Sequence, residues 1–162
     1  MFRHEDIVAR RNTGNRIALG AIGEHLVCAD VMMAGHRAHI AAAGSPYDVI
    51  ADIGSRLVKL QVKAVSFETM KDNGAGVETR CYTWNTGRRS YEGEWSSYND
   101  VDGFALVALD GPFIAYLPVE NVPMKISMRR PNTMIERARG AVMRDMAHFP
   151  FSRLVEMFDE TA

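Results

Sequence analysis

The hydrophobic pattern of the chain first predicts a helix near its N-terminal end. Within residues 15–33, small and apolar residues recur at helical spacings, and these are Ala18, Ile22, Leu26, Ala29 and Met33. Because residues three or four apart lie on the same side of a helix, the pattern predicts an α-helix with this stripe buried. Gly35 is a suitable stop signal for the helix, and His39 and Ile40 are expected to lead into a loop.

The next pattern has a period of two, which is typical of a β-strand. One face of residues 56–65 is apolar and consists of Val58, Leu60, Val62 and Ala64. The other face carries Lys59, Gln61 and Lys63. A shorter apolar segment, residues 47–51, comes before a Gly54-Ser55 turn. Two strands separated by such a turn predict a β-hairpin.

The second half of the chain predicts more strands and two further helices. Strand patterns occur at residues 77–84, 102–109, 113–117 and 125–129, and helical patterns occur at 133–148 and 152–160. Asp110-Gly111-Pro112 marks the turn of a second hairpin, whereas residues 85–101 have no periodicity and predict a long loop. The order of helix, sheet and helix predicts an α/β or α+β class.

Composition places the chain among ordinary globular proteins. Its 162 residues suit one domain, and 47% apolar with 24% charged residues are enough to form a hydrophobic core. Cys28 and Cys81 are too few for a disulfide framework, which favours a reducing, cytoplasmic location. No segment approaches the roughly 20 apolar residues of a membrane span, so we expect no membrane partner.

The net charge of −1 argues mildly against a nucleic-acid partner, but the charge is unevenly distributed. The acidic excess is confined to residues 64–110, and arginine clusters lie outside it or in its polar loop. The clusters are Arg10, Arg11 and Arg16; Arg88 and Arg89; and a third between residues 129 and 144. The planar guanidinium group suits phosphate, although the same residues would also suit a solvated surface.

Polar residues that interrupt the apolar pattern are the candidates for chemistry. Asp48 lies in an otherwise apolar strand, and the two-residue spacing of Gln61 and Lys63 places them on one face of its hairpin partner. Glu24 lies on the helix that must pack against this sheet. Carboxylate and amide oxygens can hold Mg²⁺, and a neighbouring lysine can position water or stabilise charge on a phosphate.

Each of these residues also has a purely structural interpretation. Glu24 could be an exposed helix residue, and Asp48 could begin a turn or pair with an arginine. Gln61 and Lys63 could form the polar face of an edge strand. The combined pattern therefore carries more weight than any one of its members.

Three segments together resemble the PD-(D/E)XK nuclease superfamily. They are Gly20-Ala21-Ile22-Gly23-Glu24, Ser45-Pro46-Tyr47-Asp48-Val49-Ile50 and Leu60-Gln61-Val62-Lys63-Ala64. More narrowly, they resemble the branch that reads PYD and then QVK, which includes homing endonucleases of bacterial group I introns. Residues 102–105 and 113–118 resemble an aspartate-plus-aromatic strand pair that follows the core in this branch. The resemblance covers roughly residues 15–130.

The resemblance implies a restriction-endonuclease-like core, with a mixed β-sheet flanked by helices. It implies hydrolysis of DNA phosphodiesters with Mg²⁺, or Mn²⁺ as a substitute. Asp48 would be the central metal ligand, Gln61 would replace the usual acidic ligand, and Lys63 would be the motif lysine. Glu24 would support the metal or its waters, and the backbone carbonyl of Val62 would be a further ligand. We expect one domain over residues 1–162, with 1–14 and 131–162 as peripheral segments.

The sequence departs from the superfamily pattern at two positions. Tyr47 separates Pro46 from Asp48, and the neutral Gln61 removes one negative charge from the site. Fewer ligand charges should weaken the binding of a hard cation. The narrower branch also has glutamine at this position, so the residue does not by itself indicate an inactive site.

With this interpretation, the basic residues become candidates for DNA contact. They are Arg10, Arg11 and Arg16 before the helix, Arg88 and Arg89 in the aromatic-containing loop, and Lys59 on the strand face of Gln61. The loop aromatics could instead pack on the core. Because one domain has one site and a duplex has two strands, we expect a homodimer or a higher symmetric oligomer.

Two alternatives to a homing or restriction-like endonuclease remain. The first is a structure-selective nuclease that resolves Holliday junctions or acts in repair, although such relatives usually have glutamate in place of Gln61. The second is a non-catalytic DNA-binding module on the same fold, and the neutral Gln61 is its best support.

Overall fold

The computed structural model describes residues 16–72, 78–87, 100–133 and 144–160. Helices and strands occur in the order α1 (Arg16–Met33), β1 (Arg37–Ile40), β2 (Val49–Asp52), β3 (Leu57–Val65), β4 (Thr69–Asp72), β5 (Glu78–Asn85), β6 (Gly103–Ala108), β7 (Phe113–Pro118), β8 (Lys125–Arg129), β9 (Arg144–Asp145) and α2 (Phe151–Asp159). Short 3₁₀ helices occupy Val119–Asn121 and Met146–His148. No helix among these residues is long and apolar enough to cross a membrane.

The strands form two sheets, and the larger one contains the predicted hairpins. Its order is β1-β2-β3-β6-β7, in which β3 and β6 are parallel and the other neighbours are antiparallel. The second sheet has the order β4-β5-β8-β9. A mixed sheet combined with helices confirms the predicted α+β class.

Two hydrophobic clusters hold the layers together on opposite faces of the larger sheet. On one face, α1 and α2 pack on the strands through residues such as Val27, Val62 and Leu154. On the other face, the second sheet covers β6 and β7 through residues such as Trp84 and Phe104. The layers are therefore helices, large sheet and small sheet, and helices flank only one face of the large sheet among the described residues.

The sequence predicted the wrong buried stripe for α1. Ala18 and Ala29 are exposed, Ile22 is 48% exposed and Met33 is 80% exposed, while Leu26 is partly buried. The buried residues are instead Gly23, Val27 and Val31. Because α1 is apolar on nearly every side, helical spacing alone fits several stripes, and the sheet selects the one that contains a glycine at the closest contact.

Two other predicted elements differ from the structure. His39 and Ile40 belong to β1 rather than to a loop, because their backbone pairs with Ile50 and Val49 of β2. The helix predicted over residues 133–148 is wrong at its end, where β9 pairs with β8 and a 3₁₀ helix follows. Residues 134–143 of that prediction lie outside the described residues, as does most of the predicted loop 85–101.

Candidate active site

The side chain of Asp48 is held against β3 directly before β2 begins. Its backbone N–H donates to the Leu60 carbonyl at 2.9 Å, and its own carbonyl accepts the Ala41 N–H at 2.8 Å. The carboxylate oxygen Oδ2 accepts the backbone N–H of Val62 at 2.7 Å and the side-chain amide of Gln61. The structure therefore joins Asp48 and Gln61, which are thirteen residues apart in the chain.

Glu24 reaches the same region because α1 approaches β3 closely at the preceding residue. A Cβ atom on Gly23 would lie 3.0 Å from the Cβ of Ala64 and 3.3 Å from a methyl group of Val62. Burial raises the pKa of Glu24, and the negative charge of Asp48 raises it further, while His25 acts in the opposite direction. The electrostatic coupling indicates that Glu24 and Asp48 are close enough for their charges to interact.

The two strand lysines lie on either side of Gln61 on the face opposite Val62. Lys63 and Lys59 are both partly buried. The ammonium group of Lys59 lies 5.6 Å from the centroid of the Tyr47 ring, a distance at which a cation is attracted to the ring face. Tyr47, which separates Pro46 from Asp48 in the sequence, therefore serves as a partner for Lys59 beside the candidate site.

Asp102 fixes the start of β6 beside this part of β3. Its carboxylate accepts the Lys59 backbone N–H at 2.7 Å and pairs with Arg56 at 2.8 Å. Its own N–H donates to the Lys59 carbonyl at 2.9 Å. The sequence singled out Asp102 only through the resemblance and gave it no role. The sequence signal that could have revealed this role is an aspartate directly before an apolar strand, which also occurs at Asp48.

The donors at this site fit a hard divalent cation. They are two carboxylates, the amide oxygen that Gln61 could present, and backbone carbonyls such as that of Val62, and Mg²⁺ prefers oxygen ligands and retains waters. Glu24 and Asp48 are also like charges whose proximity a cation would relieve. Within the described parts of the chain, no three His, Cys, Asp or Glu residues are grouped as a metal site. The donor chemistry thus suits Mg²⁺ better than zinc, which prefers nitrogen and sulfur ligands.

The candidate DNA-binding residues have different positions. Arg16 is exposed at the beginning of α1, and Lys59 lies beside the site. Arg10, Arg11, Arg88 and Arg89 lie outside the described residues.

Two arginines of the third sequence cluster, Arg129 and Arg130, have structural partners, and Arg144 is exposed on β9. Arg129 is buried and lies 3.7 Å from Asp145, and Arg130 pairs with Asp110 at 3.0 Å. The Arg129 pair joins β8 to β9 within the second sheet, and the Arg130 pair links the end of β8 to the turn between β6 and β7 of the large sheet. This explains part of the local basic excess without DNA.

Comparison with known proteins agrees with the resemblance found in the sequence. The family model described as PD-(D/E)XK endonuclease matches residues 15–149. The structure is similar to that of a bacterial homing endonuclease, I-Ssp6803I, with a TM-score of 0.61 and 14% sequence identity. The likeness covers 91% of this chain and 97% of that chain, and it shows the same fold. No curated protein matches the chain.

Proposed function

We propose that this chain, which belongs to the PD-(D/E)XK endonuclease family, is a Mg²⁺-dependent DNA endonuclease of the homing or restriction-like type. The observation that carries the proposal is the contact of Asp48 with the Gln61 amide and the Val62 N–H, beside a Glu24 whose pKa responds to Asp48. The similar solved structure is that of a homing endonuclease, which supports DNA as the substrate.

In this proposal, oxygen donors from four residues hold the metal. Asp48 and Gln61 are direct ligands, the Val62 carbonyl is a further one, and Glu24 binds the ion or its waters. A bound Mg²⁺, or Mn²⁺ in its place, would supply Lewis-acid stabilisation of the charge that develops on the scissile phosphate. Gln61 must turn its amide to present oxygen in place of the N–H group that now contacts Asp48.

The other tasks of hydrolysis fall to groups of the protein itself. Lys63 lies two residues from Gln61 on the same strand face, where its ammonium group can donate hydrogen bonds to a phosphate oxygen and hold the attacking water. Burial and Asp48 raise the pKa of Glu24, which makes its carboxylate a stronger base than an exposed glutamate. Glu24 can therefore accept a hydrogen bond from the attacking water.

Duplex cleavage also requires a second site. One chain contains one set of these residues, and the two strands of DNA are related by an approximate two-fold axis. A homodimer or a higher symmetric oligomer places one site at each strand. We therefore propose that the active form is a symmetric assembly of this chain.

The deciding experiment is cleavage of supercoiled plasmid by the wild type, Lys63→Ala and the control Lys125→Ala. Lys125 is an exposed lysine on β8 of the second sheet. We expect Mg²⁺-dependent nicking by the wild type and by Lys125→Ala, and a loss of about 100-fold or more in Lys63→Ala. Binding of DNA in Ca²⁺, measured by gel shift, should be retained by all three proteins.

The same assay separates the alternatives. Normal Mg²⁺-dependent nicking by Lys63→Ala would contradict the assignment of the site. Preferential cleavage of a four-way junction over linear duplex would favour a junction-resolving enzyme. Metal-independent DNA binding without hydrolysis in Mg²⁺ or Mn²⁺ would favour the non-catalytic module, for which the neutral Gln61 is the supporting observation.

A further inference from the structure

Among the described residues, part of one face of β1, β2 and β3 is uncovered next to the candidate site. Ala38, Ala51 and Val58 are paired across these strands and are buried against the helices. Because side chains alternate along a strand, the neighbouring residues face the opposite side. There Arg37 and His39 are exposed and Leu57 is 60% exposed, so the described part of the second sheet does not cover them.

The strand register arranges basic residues in rows on this uncovered face. His39 on β1, Ile50 on β2 and Lys59 on β3 are directly paired and form one row. His39 and Lys59 are separated by two strand spacings, or about 10 Å. Lys59 is two residues from Gln61, or about 7 Å along the strand, and Arg37 lies the same distance beyond His39. The rows thus extend from the candidate site toward the outer edge of the sheet.

The charge of Arg37 is available to a ligand. Neither Arg37 nor His39 forms an ion pair with a carboxylate of the described residues. By contrast, Arg56, Arg129 and Arg130 are each paired with an aspartate.

One acid, Asp52, shares the row of Arg37. Asp52 is paired with Arg37 across the strands, but its carboxylate accepts the Gly54 N–H at 2.9 Å and closes the β2–β3 turn. Among the described residues no carboxylate forms an ion pair with the exposed guanidinium group, and a planar fork of this kind suits the oxygens of a phosphate.

We propose that the uncovered face of β1, β2 and β3 is a track for the backbone of duplex DNA, on which Arg37 and His39 bind phosphates that flank the cleaved one. The inference rests on the proposed endonuclease function and adds Arg37 and His39, which the sequence analysis did not connect with DNA. Phosphate contacts of this kind fix the position of the duplex without reading its bases. Lys59, held by Tyr47 between this track and Gln61, connects the track to the candidate site.

The test is binding of a fluorescently labelled random-sequence duplex to the full chain in Ca²⁺ over a series of salt concentrations. We expect Arg37→Ala to weaken binding about tenfold and to reduce the slope of log K against log salt by about one. His39→Ala should weaken binding less, and Arg37→Lys should retain most of the affinity. Arg80→Ala, which removes an exposed arginine from β5 of the second sheet, is the matched control and should leave affinity and slope unchanged.

The outcomes distinguish this inference from the proposed function. If the wild type binds and cleaves DNA but Arg37→Ala binds as tightly as Arg80→Ala, the track is overturned while the endonuclease proposal survives. If the wild type binds no DNA, both are overturned. Matching circular dichroism spectra and melting temperatures for all variants would show that a loss of binding is not a loss of folding.

Discussion

The side-chain amide of Gln61 donates a hydrogen bond to the same carboxylate oxygen of Asp48 that accepts the backbone N–H of Val62. Both hydrogen bonds hold this carboxylate oxygen against β3. A glutamate at position 61 would instead place a third carboxylate beside Asp48 and Glu24. The neutral residue therefore reduces electrostatic repulsion at the site before a cation binds. Once a cation is bound, however, the site offers it one negatively charged ligand fewer.

This relationship predicts a trade-off in Gln61→Glu. Without metal, the added charge should lower the melting temperature at neutral pH, because three carboxylates repel one another and one hydrogen bond is lost. With Mg²⁺ in excess, the variant should gain more stability than the wild type, because a third charged ligand strengthens binding of a hard cation. Thermal melts in EDTA and in Mg²⁺ test both halves, with Gln61→Ala as the control that removes the amide without adding charge. An equal Mg²⁺ effect in wild type and Gln61→Glu would contradict the proposed ligand role.

The pKa of Glu24 predicts how stability depends on pH. Burial and Asp48 raise this pKa above its ordinary value of 4.5, so the folded protein keeps the proton to a higher pH than the unfolded chain. The stability contributed by that proton is present below the ordinary value and is lost as the pH rises through the raised pKa. The glutamine of Glu24→Gln cannot ionise, so this variant should be more stable than the wild type at neutral pH in EDTA. The difference should vanish at about pH 4.

Melting temperatures of both proteins between about pH 4 and pH 8 measure this effect. Mg²⁺ should reduce the advantage of Glu24→Gln, since a cation favours the ionised glutamate of the wild type. A difference between the two proteins that is constant over the whole pH range would show that Glu24 is not ionising under the influence of burial and Asp48.

The contact between Asp48 and Gln61 was largely predictable from the sequence. A short apolar segment before the Gly54-Ser55 turn and a period-two pattern after it predict a hairpin, and a hairpin fixes which residues face each other. Val49 does pair with Leu60 in that hairpin, which places Asp48 next to Gln61 and Val62. The second hairpin, β6 and β7, was predicted on the same basis and is present.

Other features depended on tertiary packing and had no clear local signal. The strand β1 has only four residues and one buried side chain, Ala38, so its pattern does not alternate visibly. The buried face of α1 is selected by Gly23, whose missing side chain lets the helix lie against Val62 and Ala64. Spacing alone cannot reveal this, because a rival stripe containing Ile22 and Met33 is just as apolar.

A hydrogen bond between α1 and β7 predicts a measurable stability effect away from the site. The buried hydroxyl of Tyr116 donates to Asp30 at 2.7 Å. Tyr116→Phe leaves that carboxylate without its donor and should lower the free energy of unfolding by about 1–3 kcal/mol. Asp30→Asn keeps an acceptor and should cost less. Urea denaturation of both variants measures the two values, and a larger loss in Asp30→Asn would contradict the assigned roles of donor and acceptor.

Replacing each of two glycines in α1 by alanine should change the stability of the protein in opposite directions. Gly20 has nothing within 4 Å of where a Cβ atom would lie, so Gly20→Ala should stabilise the protein by about 0.5–1 kcal/mol through helix propensity. At Gly23 the same methyl group meets Ala64 at 3.0 Å, so Gly23→Ala should push α1 away from β3 and cost about 1–3 kcal/mol. Because Glu24 follows directly, Gly23→Ala should also reduce plasmid cleavage, whereas Gly20→Ala should not. Urea denaturation and the plasmid assay measure the two effects. Equal stability changes in the two variants would show that close packing at Gly23 does not position Glu24.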